Sequence, residues 1–194
     1  MAHKFDPEKV LREFGIKEGM TVLDVGTGPG FYLPFLSELT GEKGKVYAVD
    51  VQEEMVKRAR QKVEREGLRN VDVLLSEENR IPLPDRNVDF VFMAFTFHEL
   101  EDPKRFVEEL KRITKPFAYA GIIDWKKEPR DKGPPPEEVL SEWEIGLILD
   151  DCGVRVGRVI ELGKYCFGVY AVFTQDEGEN PLLNVPFKLP PGLS

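Results

Sequence analysis

The segment Val22-Leu23-Asp24-Val25-Gly26-Thr27-Gly28-Pro29-Gly30-Phe31 constrains this chain more than any other. The apolar run 20–25 reads as a buried strand with one acid near its end. Three glycines at alternate positions follow, and a helical pattern then runs over 32–39. Strand, glycine-rich turn and helix in that order is how α/β folds bring a ligand against bare backbone. Gly26, Gly28 and Gly30 carry no Cβ to block the approach and can take a positive φ at little cost. The helix start adds unpaired N–H groups and a partial positive charge.

The spacing separates two kinds of site. The dinucleotide fingerprint is G-x-G-x-x-G, whereas this loop reads G-x-G-x-G with Asp24 two residues before it. An acid there would repel a pyrophosphate but suits a ligand bearing an ammonium group. The pattern Asp24-x-Gly26-x-Gly28-x-Gly30 resembles the first motif of class I S-adenosylmethionine (SAM) dependent methyltransferases.

The rest of the chain alternates strand and helix. Strands are expected over 21–25, 45–50, 71–75, 88–94 and 118–124, with helices between most of them. A first helix is capped by Asp6, carries Val10, Leu11 and Phe14 inward, and stops at Gly15. The segment 1–15 is expected to cover the site. Further helices present Met55, Val56, Ala59 and Val63, then Phe106, Val107, Leu110 and Ile113, then Val139, Leu140, Trp143 and Leu147. Two closing β segments, 154–162 and 165–173, flank Gly163-Lys164, a hairpin signal. The expected fold is α/β, a Rossmann-like three-layer sandwich with a seven-stranded, mostly parallel sheet whose last strand is antiparallel. One domain spans 1–174, and the proline-rich stretch 175–194 reads as an extended tail, placed to close the pocket or to meet a second copy in a homodimer.

Composition narrows the partners. A net charge of −8 argues against a non-specific nucleic-acid binder, which needs a basic face. The longest apolar runs fall short of a membrane span, and the first residues lack a secretory pattern, so a cytoplasmic location is expected. Cys152 and Cys166 are too few for a disulfide framework or a zinc site. The high charged content, 32%, leans towards a thermophilic source.

Asp50 closes the second strand, twenty residues beyond Gly30. A carboxylate there can accept hydrogen bonds from both hydroxyls of an adenosine ribose. It can equally form a D-x-x-E capping box with Glu53. From this point the methyltransferase resemblance becomes specific. Asp50-x-x-x-x-Met55 is similar to the family's second motif, in which the Met packs on adenine, although Met55 also fits a plain core position. The segment 76–85 resembles the one in which an acid meets the adenine amino group, leaving Glu77 and Glu78 as candidates. Segment 87–94 resembles the family's fourth strand, and Phe95-Thr96-Phe97-His98-Glu99-Leu100 the loop that follows it in quinone-biosynthesis C-methyltransferases. Where the family has two glycines after the R-x-L-K-P segment, this chain has Phe117-Ala118.

The resemblance implies a SAM site made by Asp24, Gly26, Thr27, Gly28, Gly30, Asp50, Val51, Met55, Glu77 or Glu78, and the Ala94 backbone. It implies methyl transfer to a small-molecule acceptor by in-line displacement, with S-adenosylhomocysteine released and no metal required. His98 stands just after the fourth strand, where a neutral imidazole suits an acidic carbon or a phenol; a purely structural histidine is the other reading. Phe95, Phe97, Tyr119, Trp125 and Tyr165 are expected around the acceptor. Two rival functions stay open: a SAM-binding regulator without turnover, and an NAD(P)-dependent oxidoreductase.

Overall fold

A computed structural model describes residues 5–174. The tail expected over 175–194 lies outside the described residues, as do residues 1–4. Five helices and seven strands follow in the order α1 (Pro7–Glu13), β1 (Thr21–Val25), α2 (Leu33–Thr40), β2 (Lys45–Asp50), α3 (Glu53–Glu66), β3 (Val71–Leu75), β4 (Val88–Ala94), α4 (Pro103–Ile113), β5 (Thr114–Trp125), α5 (Glu142–Asp151), β6 (Val154–Glu161) and β7 (Cys166–Phe173). Helix starts follow the local chemistry. Asp6 Oδ1 accepts from the Glu8 and Lys9 amides, and Asp102 Oδ1 accepts from the Arg105 amide.

The sheet order is β3-β2-β1-β4-β5-β7-β6. Strands β1 to β5 pair in parallel, and β7 enters antiparallel between β5 and β6. The chain order reverses beside β1, so β1 and β4 part their crossovers to opposite faces and open a crevice at their carboxyl ends. Side chains alternate across the sheet. Val22, Phe90 and Phe92 face α1, α2 and α3, whereas Leu23, Val25, Val91 and Met93 face α4 and α5. Both faces are therefore buried, which is why the central strands read as nearly continuous apolar runs.

The structure adjusts two sequence expectations. β5 begins at Thr114, directly after α4, rather than at 118. Thr114 pairs with Val88 and Tyr119 with Phe90, so β5 bulges between them. Phe117 in that bulge holds φ at 60°, a left-handed conformation that glycine adopts freely. That explains the position at which the family's glycines stand. Helix α5 buries Ile145 and Leu149 rather than Leu147, which is 62% exposed. A capping box between Ser141 and Glu144 sets the helix start after Val139 and Leu140. Helix α1 packs on the sheet face that carries Phe92, which the Phe14 ring meets at 6.5 Å between centroids. A Cβ on Gly121 would lie 2.8 Å from the Phe14 ring, so that glycine lets Phe14 seat directly on β5. Among the described residues, no helix is long and apolar enough to cross a membrane.

Candidate functional site

The glycine loop leaves β1 with three left-handed residues, Gly26 at φ 65°, Gly28 at 54° and Gly30 at 84°. The three serve different ends. A Cβ on Gly26 would fall 2.3 Å from Thr96 Oγ1, so this glycine lets the loop close against the end of β4. A Cβ on Gly30 would meet Leu33 Cδ1 at 2.9 Å, at the turn into α2. A Cβ on Gly28 would meet nothing within 4 Å. Only there does the missing side chain leave space for a ligand.

That space is a cavity of about 440 Å³, well within the range of small-molecule sites. Gly26, Gly28, Asp50, Val51, Met55, Glu78 and Ala94 line it, together with Gln52, Ser76, Phe95, Thr96 and Glu99. Asp24, Thr27, Gly30 and Glu77 are not among its lining residues.

Asp50 anchors the cleft floor. Its Oδ2 accepts from the Gly28 amide at 2.9 Å and its Oδ1 from the Gln52 amide at 2.9 Å. The helix cap is Gln52, so Asp50 ties β2 to the glycine loop instead of forming a box with Glu53. Each carboxylate oxygen keeps acceptor capacity. Asp24 sits behind the loop, 2% exposed, where its Oδ2 accepts from Thr27 Oγ1 at 2.7 Å. Burial drives its carboxyl up to about 7; the Thr27 hydrogen bond opposes that rise and the nearby Asp50 charge reinforces it.

Beside the cleft, His98 forms a pair that sequence reasoning did not contain. Its Nδ1 lies 2.7 Å from Asp124 Oδ1, and its backbone amide donates to Asp124 Oδ2 at 3.1 Å. Asp124 is fully buried and also accepts from the Trp125 amide at 2.8 Å. The His98 side chain is 7% exposed, and its Nε2 hydrogen-bonds to no described residue. Burial opposes the imidazolium, but the Asp124 hydrogen bond and charge, with Glu99, outweigh it and raise the pKa. The available signal for Asp124 was an acid at the end of the strand neighbouring β4. The geometry also holds Phe95 at φ 58°, a strained value for a non-glycine residue at the rim of a cleft.

The expected aromatic ring is only partly assembled. Phe95 and Trp125 meet at 4.7 Å between ring centroids at the carboxyl edge. The Tyr165 carbonyl accepts from the Lys126 amide, and Lys164 Nζ stands 4.9 Å from the centre of its ring. Phe97 is instead fully buried in the core. Tyr119 stacks on Tyr170 at 5.6 Å and pairs with Phe90, several residues before the carboxyl end of β4.

The cleft fits SAM on this geometry: open backbone at Gly28, a carboxylate with free lone pairs at Asp50, and an apolar wall at Val51 and Met55. A methyltransferase domain model matches residues 23–120. The demethylmenaquinone methyltransferase of Geobacillus stearothermophilus is 35% identical over 107 residues, 55% of this chain and 46% of that protein. The ubiquinone/menaquinone biosynthesis C-methyltransferase UbiE of Escherichia coli is 30% identical over 58% of this chain and 45% of that one. The chain thus spans about half the length of the curated relatives it matches. A solved SAM-dependent methyltransferase from Aquifex aeolicus is 75% identical, covering 88% of this chain and 90% of that one, with a TM-score of 0.86. The [4+2]-cyclase SpnF shares only the fold, at 14% identity over 87% of this chain and 80% of that one, with a TM-score of 0.76. Matched across its cofactor half by the family model and over most of its length by the Aquifex structure, the chain belongs to the class I methyltransferases that use S-adenosylmethionine.

Proposed function

We propose that this chain transfers a methyl group from SAM to a small-molecule acceptor by in-line displacement. The observation that carries the reading is the placement of a cleft lined by the glycine loop and Asp50 beside a buried His98–Asp124 pair on one sheet edge. Asp50 holds the ribose with the lone pairs not spent on Gly28 and Gln52. Val51 and Met55 pack on the adenine, and Glu78, which lines the cleft, reads its amino edge. Asp24 and Thr27 act on the methionine ammonium from behind the loop, directly or through water, while Gly26 and Gly30 shape that loop. The Ala94 backbone borders the reacting centre.

When bound, SAM supplies an electrophilic methyl group on a sulfonium and departs as a thioether. The chain's task is to hold the acceptor in line, exclude water and move a proton. Asp124 fixes the His98 tautomer with the proton on Nδ1, leaving Nε2 as the base that takes the acceptor's proton. The names of the curated relatives, which place them in menaquinone and ubiquinone biosynthesis, support a small organic acceptor. The test is calorimetric titration of the full chain with SAM, S-adenosylhomocysteine and NADH in parallel, followed by an acceptor screen with methyl-labelled SAM. Heat from both adenosyl ligands and none from NADH is expected. Binding of NADH alone would overturn the reading, and tight SAM binding with no label transferred in any screen would favour a regulator.

A further inference from the structure

Among the described residues, four buried side-chain polar atoms have no hydrogen-bond partner, and Arg130 Nη2 is one of them. Cys166 feels the Arg130 guanidinium and the Asp124 carboxylate. The same guanidinium acts on His98. Arg130 itself stands against Trp125, whose ring meets Phe95 of the cleft and whose chain neighbour Asp124 holds His98.

Arg130 is held as if for a ligand. Its Nε donates to the Pro134 carbonyl at 2.9 Å and its Nη1 to the Lys126 carbonyl at 2.5 Å. Its guanidinium carbon stands 5.0 Å from the Trp125 ring centroid. These three restraints fix the plane and stop the side chain from swinging to solvent. It forms no ion pair among the described residues. Arg130 is half-buried, and its buried Nη2 is left without a partner, which is costly unless an acceptor completes it. A guanidinium also presents its N–H groups in a rigid fork suited to oxyanions.

We propose that Arg130 recognises an anionic oxygen on the methyl acceptor, so that the acceptor class carries a carboxylate or an ionised phenolic or enolic hydroxyl beside an apolar body. This deepens the methyl-transfer reading and rests on it. Phe95 and Trp125 supply the apolar surface. Arg130 does not line the cofactor cleft, so acceptor and cofactor recognition are separable.

The experiment uses the full chain saturated with S-adenosylhomocysteine and matched probe pairs: benzoate with benzamide, and 4-nitrophenolate with nitrobenzene. Affinities come from ligand-observed NMR titration. At least one anion is expected to bind about tenfold tighter than its neutral partner, the scale of one charge-assisted hydrogen bond. The pair that shows the preference tells carboxylate from ionised hydroxyl. Arg130→Met keeps an apolar stem on Trp125 and should bring the preference within about twofold, with S-adenosylhomocysteine affinity unchanged. Arg130→Lys, which keeps the charge, should retain part of it, and thermal melts of both variants confirm folding. Equal binding of anions and neutral partners by the native chain, or an undiminished preference in Arg130→Met, overturns the inference. Failure of S-adenosylhomocysteine itself to bind would instead sink the cofactor reading, and the same probes on the free chain would still decide the role of Arg130.

Discussion

Asp24→Asn should make the ligand-free protein more stable in mild alkali while weakening its hold on SAM. The reasoning starts from burial. Asp24 is 2% exposed, and its carboxyl is pushed from 3.8 to about 7, chiefly by desolvation. At 1.36 kcal/mol per tenfold change in proton affinity, keeping it ionised in the folded state costs up to about 4 kcal/mol. The sign follows from proton counting. Between the two pKa values the folded state holds a proton that the unfolded state has lost, so stability falls as pH rises and the full cost is present above about pH 7. Asparagine is neutral throughout and can still accept from Thr27 Oγ1. Native and variant should therefore melt together near pH 4, and the variant should lead by up to about 8–16 °C at pH 8. The assay is a series of thermal melts from pH 4 to 8 without ligand, paired with SAM titrations. If the acid is the partner of the ammonium group, the variant loses about tenfold or more in SAM affinity, and native binding releases protons near pH 6.5. A melting difference that does not change with pH, or a variant less stable than native at pH 8, would refute the argument.

Three further outcomes follow from the site geometry. Asp50→Ala removes the acceptor for two backbone amides and the proposed ribose contact; SAM affinity should fall about a hundredfold, with a stability loss of about 1–3 kcal/mol in denaturant melts. Unchanged SAM affinity there would remove Asp50 from the site. Gly26→Ala and Gly28→Ala should fail differently. The first collides with Thr96 and should cost about 3 kcal/mol of stability, whereas the second pays only the left-handed penalty of about 1–2 kcal/mol and loses SAM affinity because its methyl group points into the cleft. Asp124→Asn should slow transfer about a hundredfold and shift the acidic limb of the pH–rate profile downward, because Asp124 raises the His98 pKa and the base works only when neutral. A profile that stays in place in that variant would separate His98 from the chemistry.

Local chemistry made much of the fold legible. Asp6, Pro7 and Gly15 delimited α1, and Asp102 and Pro103 opened α4, because caps satisfy backbone groups within a few residues of themselves. The apolar runs at 21–25 and 88–94 marked central strands, since a sheet covered on both faces buries every side chain. Where the pattern was weak, the reading slipped. The 139–147 stretch offers apolar residues on more than one helical face, and only packing against the sheet chose Ile145 and Leu149 over Leu147.

By itself, the sequence determined the α/β class, the glycine loop after β1, and an acid at the end of β2 in reach of it, because each is a matter of spacing along one segment. Tertiary structure decided what spacing cannot express. It set Asp124 of β5 against His98 after β4, although 26 residues separate them in the chain. It gave Gly26 to Thr96 and Gly28 to the cleft, though the two look alike in the loop. It admitted Glu78 to the cleft lining and not Glu77, its neighbour. It also carried Arg130 over Trp125 with one nitrogen left unpaired. The physical reason is common to all four. Hydrogen bonds and steric contacts act over a few ångströms in space, and the pairing of parallel strands through long crossovers decides which distant residues share those few ångströms.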